Sequence, residues 1–168
     1  VKGALNTIQA AKECGVENYI LASSSEVYQQ PTRIPTSEEE RCIIPDILNP
    51  RFSYAGGKLI SELLAINFFR ATKVRDLIFR PHNVFGPDMG IEHVVPELIS
   101  KLYNATYGWS KTRVDLEIQG SGDETRAFCY VEDAVDQIMC IYNYGLKGEL
   151  YHVGVDNEIT IRQLVKLL

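Results

Sequence analysis

The sequence predicts an α/β protein built on a mostly parallel sheet covered by helices. Segments with helical spacing alternate along the chain with short apolar runs of strand length. The turn-rich stretches "SSSEVY" and "NVFGPDMG" each follow the carboxyl end of such a run. Apolar residues make up 45% of the 168, ample for the core of one domain with a small appendage.

The elements follow in order. "VKGALNTIQAAKECG" places Ala4, Ile8 and Ala11 on one stripe with Leu5 beside it, which predicts a helix over 3–14 stopped by Gly15. "NYILA" reads as a buried strand over 18–23. Residues 29–50 contain Pro31, Pro35, Pro45 and Pro50 and cannot form a regular element. A long helix is predicted over 52–72, with Leu59, Leu63, Ile66 and Phe69 spaced at three and four as a stripe, and a strand over 74–80. Then come a helix over 94–106, a strand over 115–120 and a helix over 130–145 with Val131, Val135, Ile138 and Ile141 inward. A strand over 150–155 and an amphipathic helix over 159–168 close the chain. Both ends read as cuts within a longer protein.

Charge and cysteine content narrow the function. A formal charge of −5 does not favour nucleic acid or an anionic membrane surface. No apolar run is long enough to span a bilayer. Cys14, Cys42, Cys129 and Cys140 form no CxxC and are expected to be small buried hydrophobes, and the histidines are scattered, so no metal site is expected. A reducing, cytoplasmic compartment fits best.

Ligands of open parallel sheets sit outside the carboxyl ends of the strands. The stretch "SYAGGK" lies in sequence between two such ends and holds Tyr54 and Lys58 four residues apart, on one face of a helix. An ammonium near a phenol favours the phenolate, and a phenol so tuned can take a proton from an alcohol. The same spacing also suits a solvated helix face. Gly56 and Gly57 either begin the helix or let a ligand approach its backbone.

Taken together, "SSSEVY", the proline-rich loop, "SYAGGK", "RPHNVFGP" and "GSGDETRAFCYVEDAVD" resemble, in order and over nearly the whole chain, the extended short-chain dehydrogenase/reductase family of NAD-dependent nucleotide-sugar epimerases, dehydratases and decarboxylases. The opening "GALNTIQAAKECGVENYILASS" is also similar to that family's pattern. The resemblance implies a Rossmann-like doubly wound parallel sheet, here its C-terminal part over 1–85. Part of a smaller nucleotide-sugar-binding lobe, interleaved with the last Rossmann elements, would occupy 86–168. The family's upstream GxxGxxG loop has no counterpart in this sequence, so the chain reads as the catalytic middle of such an enzyme.

The resemblance also implies roles. Tyr54 matches the catalytic base, and Lys58 the lysine that binds the nicotinamide ribose. Ser24 matches the Ser/Thr that hydrogen-bonds the reacting oxygen, with Ser23 and Ser25 adjacent and a capping turn as the plainer account of the run. Pro81 and His82 would lie beside the nicotinamide, although a lone histidine is more often structural. Ser25 and Asn83 would contact the nucleotide-sugar, and Arg126 would grip its diphosphate; a turn asparagine and a surface ion pair are the plainer accounts. Glu26 matches an acid used by dehydratases and decarboxylases, whereas "RPHNVFGP" looks more like epimerases. The expected reaction is epimerisation through a transient 4-keto sugar, with 4,6-dehydration or UDP-glucuronate decarboxylation through Glu26 as the alternative. A non-catalytic NAD and nucleotide-sugar binder is a reading of another class. Gln29 departs from the family's usual glycine, and Gly56–Gly57 from its small or hydroxyl residues. NAD is the expected cofactor, a nucleotide-diphosphate sugar the partner, and a homodimer the assembly.

Overall fold

The computed structural model describes residues 1–111 and 113–168. The described elements are α1 (Lys2–Glu13), β1 (Asn18–Ala22), α2 (Ser53–Phe69), β2 (Arg75–Pro81), β3 (Val84–Phe85), α3 (Val94–Ala105), β4 (Thr125–Ala127), β5 (Cys129–Tyr130), α4 (Val131–Tyr144), β6 (Leu150–Val153), β7 (Glu158–Thr160) and α5 (Ile161–Leu167). Short 3-10 turns at Ser25–Val27 and Pro50–Phe52 bracket the proline-rich loop.

The chain forms two compact units, one of residues 1–82 and 132–154, the other of 83–131 and 155–168. The chain crosses to the second unit after residue 82 and returns to the first with α4 and β6.

The first unit holds a parallel sheet in the order β1-β2-β6. Register pairs Asn18 with Arg75 and Ala22 with Phe79 on one side, and Ile78 with Leu150 and Pro81 with Val153 on the other. Parallel neighbours need long crossovers, and the proline-rich loop with α2 supplies the one between β1 and β2. Ile8 and Ala11 of α1, Ala65 and Phe69 of α2 and Val74 make one core cluster. Burial of a large apolar side chain contributes about 1.5–3 kcal/mol. Gly15 has φ +63, the left-handed conformation that ends a helix and favours glycine.

Two of the expected stripes need correction. On α2 the buried residues are Ala55, Ser61, Glu62, Ala65 and Phe69, while Leu63 is 54% exposed. Apolar residues nearly encircle this helix, so periodicity cannot single out a face, and small residues occupy the packed one. On α4, Ala134 and Ile141 are buried and Val135 is exposed. The cysteines differ as well: Cys129 is buried and Cys42 half-buried, but Cys14 and Cys140 are exposed, and none is disulfide-bonded.

In the second unit β3 pairs with β5 in parallel and β4 with β7 antiparallel. The strand expected over 115–120 does not form. Leu116 and Ile118 alternate in burial with Asp115 and Glu117, so the period-two pattern is real, but among the described residues no strand pairs with it. At Gly86, just past β3, an added Cβ would stand 2.5 Å from Val131 Cγ1, so the chain requires glycine there. Helix α5 opens with a reciprocal capping box between Thr160 and Gln163.

At the carboxyl end of the central strand lies a buried ion pair. Arg80 Nη2 is 2.6 Å from Glu62 Oε2 and Arg80 Nε 2.9 Å from Glu62 Oε1, with both side chains at least nine-tenths buried. This fork joins β2 to α2. Replacing Arg80 with methionine should destabilise the full-length protein by about 3–5 kcal/mol, because the Glu62 carboxylate is left buried without its partner. Arg80→Met/Glu62→Met together should recover most of that loss in urea unfolding. A double variant as unstable as the single one would contradict this account.

Candidate active site

Three chain segments meet at the carboxyl edge of the β1-β2-β6 sheet. Ser23 extends β1 by donating its amide to Phe79 O at 2.8 Å. Its hydroxyl is buried and has no hydrogen-bond partner among the described residues. Ser24 is extended and caps the following 3-10 turn: its Oγ accepts the Glu26 amide at 3.2 Å. The capping expected of this serine run is therefore present. Ser24 is 8% exposed, Ser25 is half-buried and Glu26 is exposed.

Gln29 has φ +53, a conformation that favours glycine. That explains why the family's pattern places glycine there. In this chain the Gln29 carboxamide donates to Glu26 O at 2.6 Å and to Glu26 Oε2 at 3.3 Å, which offsets part of the strain.

Tyr54 and Lys58 lie in the first turns of α2. The preceding turn is set by Pro50 and by Asn49, whose side-chain oxygen accepts the Arg51 amide at 3.0 Å. Lys58 Nζ donates to Ala22 O, the last carbonyl of β1, at 2.8 Å, and stands 5.7 Å from the Tyr54 ring centroid. This bond brings the helix face onto the strand end that leads to Ser24. Tyr54 is 57% exposed, so its phenol is open to a ligand. A Cβ at Gly57 would meet no atom within 4 Å, and one at Gly56 only Ile44 Cδ1 at 3.8 Å. Packing among the described residues does not demand these glycines.

Pro81 ends β2, and the His82 amide donates to Val153 O at 2.8 Å. The His82 ring packs edge-on against His152 at 4.6 Å between centroids. The first unit thus brings Ser24, Ser25, Glu26, Tyr54, Lys58, Pro81 and His82 to one sheet edge.

Asn83 and Arg126 belong to the second unit and are described within it. Asn83 has φ +38; its Nδ2 donates to Ala127 O at 3.1 Å and its carbonyl accepts the Cys129 amide at 3.2 Å. It holds β3 against the β4–β5 segment, a structural task that the sequence admitted. Arg126 is exposed and donates to Thr125 O at 2.7 Å, and it makes no ion pair among the described residues. With Glu92, Glu97, Lys101, Glu124 and Ile161 it lines a recess of about 300 Å³.

A set of residues the sequence reading passed over stands behind this edge. Arg80 Nη1 donates to Tyr28 Oη at 2.5 Å, and Tyr28 Oη is 2.7 Å from His152 Nε2. The His152 amide donates to Glu38 Oε1 at 3.1 Å. Burial pulls the Glu38 carboxyl upward, but hydrogen bonds from its own and the His152 amides hold it below the ordinary value. One signal was available in the sequence: Glu62, the one carboxylate of a mostly apolar helix, one turn after Lys58.

These elements and this edge define a doubly wound α/β fold of the short-chain dehydrogenase type. The chain belongs to the NAD dependent epimerase/dehydratase family, whose profile matches residues 1–154. The human dTDP-D-glucose 4,6-dehydratase is 30% identical over 168 residues, covering 100% of this chain and 44% of that protein. UDP-glucuronic acid decarboxylase 1 of Xenopus tropicalis is 32% identical over 168 residues, covering 99% and 37% respectively. The solved structure of RMD from Pseudomonas aeruginosa complexed with NADPH has a TM-score of 0.83 at 28% identity, over 99% of this chain and 54% of that one. The chain therefore spans less than half the length of these two curated relatives.

Glu124 organises the turn before Arg126. Its carboxylate accepts the Ser121 amide at 3.0 Å, the Gly122 amide at 2.9 Å and the Ser121 hydroxyl at 3.2 Å. The Ser121 amide bond, foremost, holds this carboxyl below its ordinary value. A depressed folded value stabilises the fold above the unfolded pKa and loses that contribution as pH falls through the folded one. Glu124→Gln should therefore flatten the stability curve on its acid side, below the ordinary carboxylate range, and speed amide exchange at Ser121 and Gly122. An unchanged acid limb would refute this role.

Proposed function

We propose that the full-length protein oxidises a hydroxyl of a nucleotide-diphosphate sugar, at C4, to a transient ketone, with NAD as cofactor. The observation that carries this reading is the exposed Tyr54 phenol with Lys58 beside it, anchored on the last carbonyl of β1. Tyr54 takes the hydroxyl proton, and the Lys58 ammonium stabilises the charge that develops on the phenol oxygen. Ser24 Oγ accepts from the Glu26 amide, which leaves its own proton to donate to the reacting oxygen.

Tyr54, Lys58, Pro81 and His82 would hold the nicotinamide end of the cofactor. The open backbone at Gly57 and the buried hydroxyl of Ser23, without a partner among the described residues, fit such a group. Bound NAD would supply the hydride acceptor. Arg126 would grip the diphosphate with the part of its planar fork not used on Thr125, and Asn83 and Ser25 would contact the sugar nucleotide. The relatives act, by name, on a dTDP-sugar and on UDP-glucuronic acid, which supports this substrate class. Exposed Ile60 and Leu63 on α2 support the expected homodimer.

Epimerisation at C4, the continuation expected from the sequence, needs only Ser24, Tyr54 and Lys58. A second reading is favoured by Glu26, an exposed carboxylate in the turn that Ser24 caps, and by the dehydratase and decarboxylase names of the relatives. In that reading Glu26 moves a proton during elimination of water or supports loss of carbon dioxide from the ketone.

Tyr54→Phe in the full-length protein should preserve fold and NAD binding and lower turnover by several orders of magnitude; near-wild-type activity would remove Tyr54 from the mechanism. Arg126→Ala should weaken UDP or dTDP binding by about 1.5–3 kcal/mol and leave NAD binding unchanged in titration calorimetry. Equal losses for both ligands would count against the diphosphate grip. The continuation is decided by NMR of products from UDP-, dTDP- and GDP-hexoses and UDP-glucuronate with NAD. A C4 epimer insensitive to Glu26→Gln supports epimerisation. A 4-keto-6-deoxy sugar or a pentose, abolished by Glu26→Gln, supports the second reading.

A further inference from the structure

The cluster behind the sheet edge has a direction. Arginine only donates, so at 2.5 Å from Arg80 Nη1 the Tyr28 oxygen is an acceptor. A buried phenol has one proton to donate, and among the described residues the other partner of this oxygen is His152 Nε2 at 2.7 Å. Burial, the largest influence on Tyr28, keeps the phenol protonated beyond the ordinary range. The proton therefore points at His152, whose Nε2 accepts and whose Nδ1 carries the ring hydrogen. That Nδ1 lies 3.7 Å from Glu38 Oε1. The Arg80 guanidinium also lies over the Tyr28 ring, 4.6 Å from its centroid, and reaches Cys42 Sγ at 3.3 Å with Nη2.

Tyr28 closes the turn that begins at Ser24. The Val27 amide donates to Ser24 O at 3.3 Å and the Tyr28 amide to Ser25 O at 3.1 Å. Val27 O in turn accepts the Ile43 amide at 3.1 Å. The turn is thus tied by Tyr28 to Arg80 of β2 and to His152 of β6, and Arg80 in turn bonds Glu62 of α2.

We propose that Tyr28 is a positioning residue, whose one-way hydrogen-bond chain Arg80→Tyr28→His152 holds the Ser24–Tyr28 turn in place for the reaction. A phenyl ring would keep the packing of Tyr28 and lose both bonds of its hydroxyl. The activity arm of the test rests on the nucleotide-sugar reading above; the other arms do not.

In the full-length protein, nitrogen-15 NMR should show His152 as the Nδ1–H tautomer with a hydrogen-bonded Nε2, and Tyr28→Phe should move the Nε2 shift toward its unbonded value. An Nε2–H tautomer in the wild type would overturn the proposal. Tyr28→Phe should also accelerate amide exchange at Val27 and Tyr28 about tenfold, as loss of a hydrogen bond of ordinary strength allows. The amides of α1 should not change; no acceleration at the turn, or a uniform one throughout, would overturn it. His152→Gln keeps an acceptor for the phenol and should preserve the slow exchange, whereas His152→Leu should not; identical behaviour of the two would also overturn it. On a sugar nucleotide that the protein converts, Tyr28→Phe should lower kcat about tenfold with KM within about twofold, the signature of a misplaced reacting group. Exchange loss with a wild-type kcat would make Tyr28 merely structural. If the wild type converts no sugar nucleotide at all, the proposed function fails, and the tautomer and exchange results still decide the chain.

Discussion

A guanidinium buried at the end of the central strand constrains the first unit. Arg80 is 4% exposed, and an ion placed there without partners would cost several kcal/mol. Its donors must therefore find acceptors, and they find them on separate elements: Glu62 on α2, Tyr28 at the close of the Ser24 turn and Cys42 in the proline-rich loop. Each acceptor belongs to a segment that carries or flanks a candidate catalytic group. A single desolvated charge thus ties helix, turn and loop to the strand.

The candidate residues themselves are held more lightly. Tyr54 and Glu26 are exposed, and Lys58 reaches back to a backbone carbonyl rather than to a carboxylate. Reactive groups at a strand end need access to ligand, so their placement has to come from the elements beneath them. The strained backbone at Gln29 sits at this boundary, next to the turn that presents Glu26. Its carboxamide spans that turn where glycine would leave it bare.

The second unit follows a different principle. Its paired strands are two or three residues long, and side chains do much of the ordering. Glu124 gathers the amides of its own turn, Asn83 bonds across from β3, and Arg162 donates to Ser121 O at 2.9 Å. Arg126 emerges from this scaffold with its guanidinium largely uncommitted, which suits a group that waits for an anion.

The sequence by itself determined the alternation of helix and strand, the Gly15 stop, the irregular proline-rich loop and the meeting of Tyr54 with Lys58 on one helical turn. All of these rest on local rules: side-chain period, the fixed φ of proline, the freedom of glycine and the pitch of a helix. The family followed from motifs whose order survives without coordinates. Tertiary structure alone decided which face of α2 is buried, since its apolar residues encircle it, and that Leu116 and Ile118 alternate without a strand partner among the described residues. It alone brought Glu38, Tyr28, Arg80 and His152 together, because hydrogen bonds between residues up to 124 positions apart have no period to betray them.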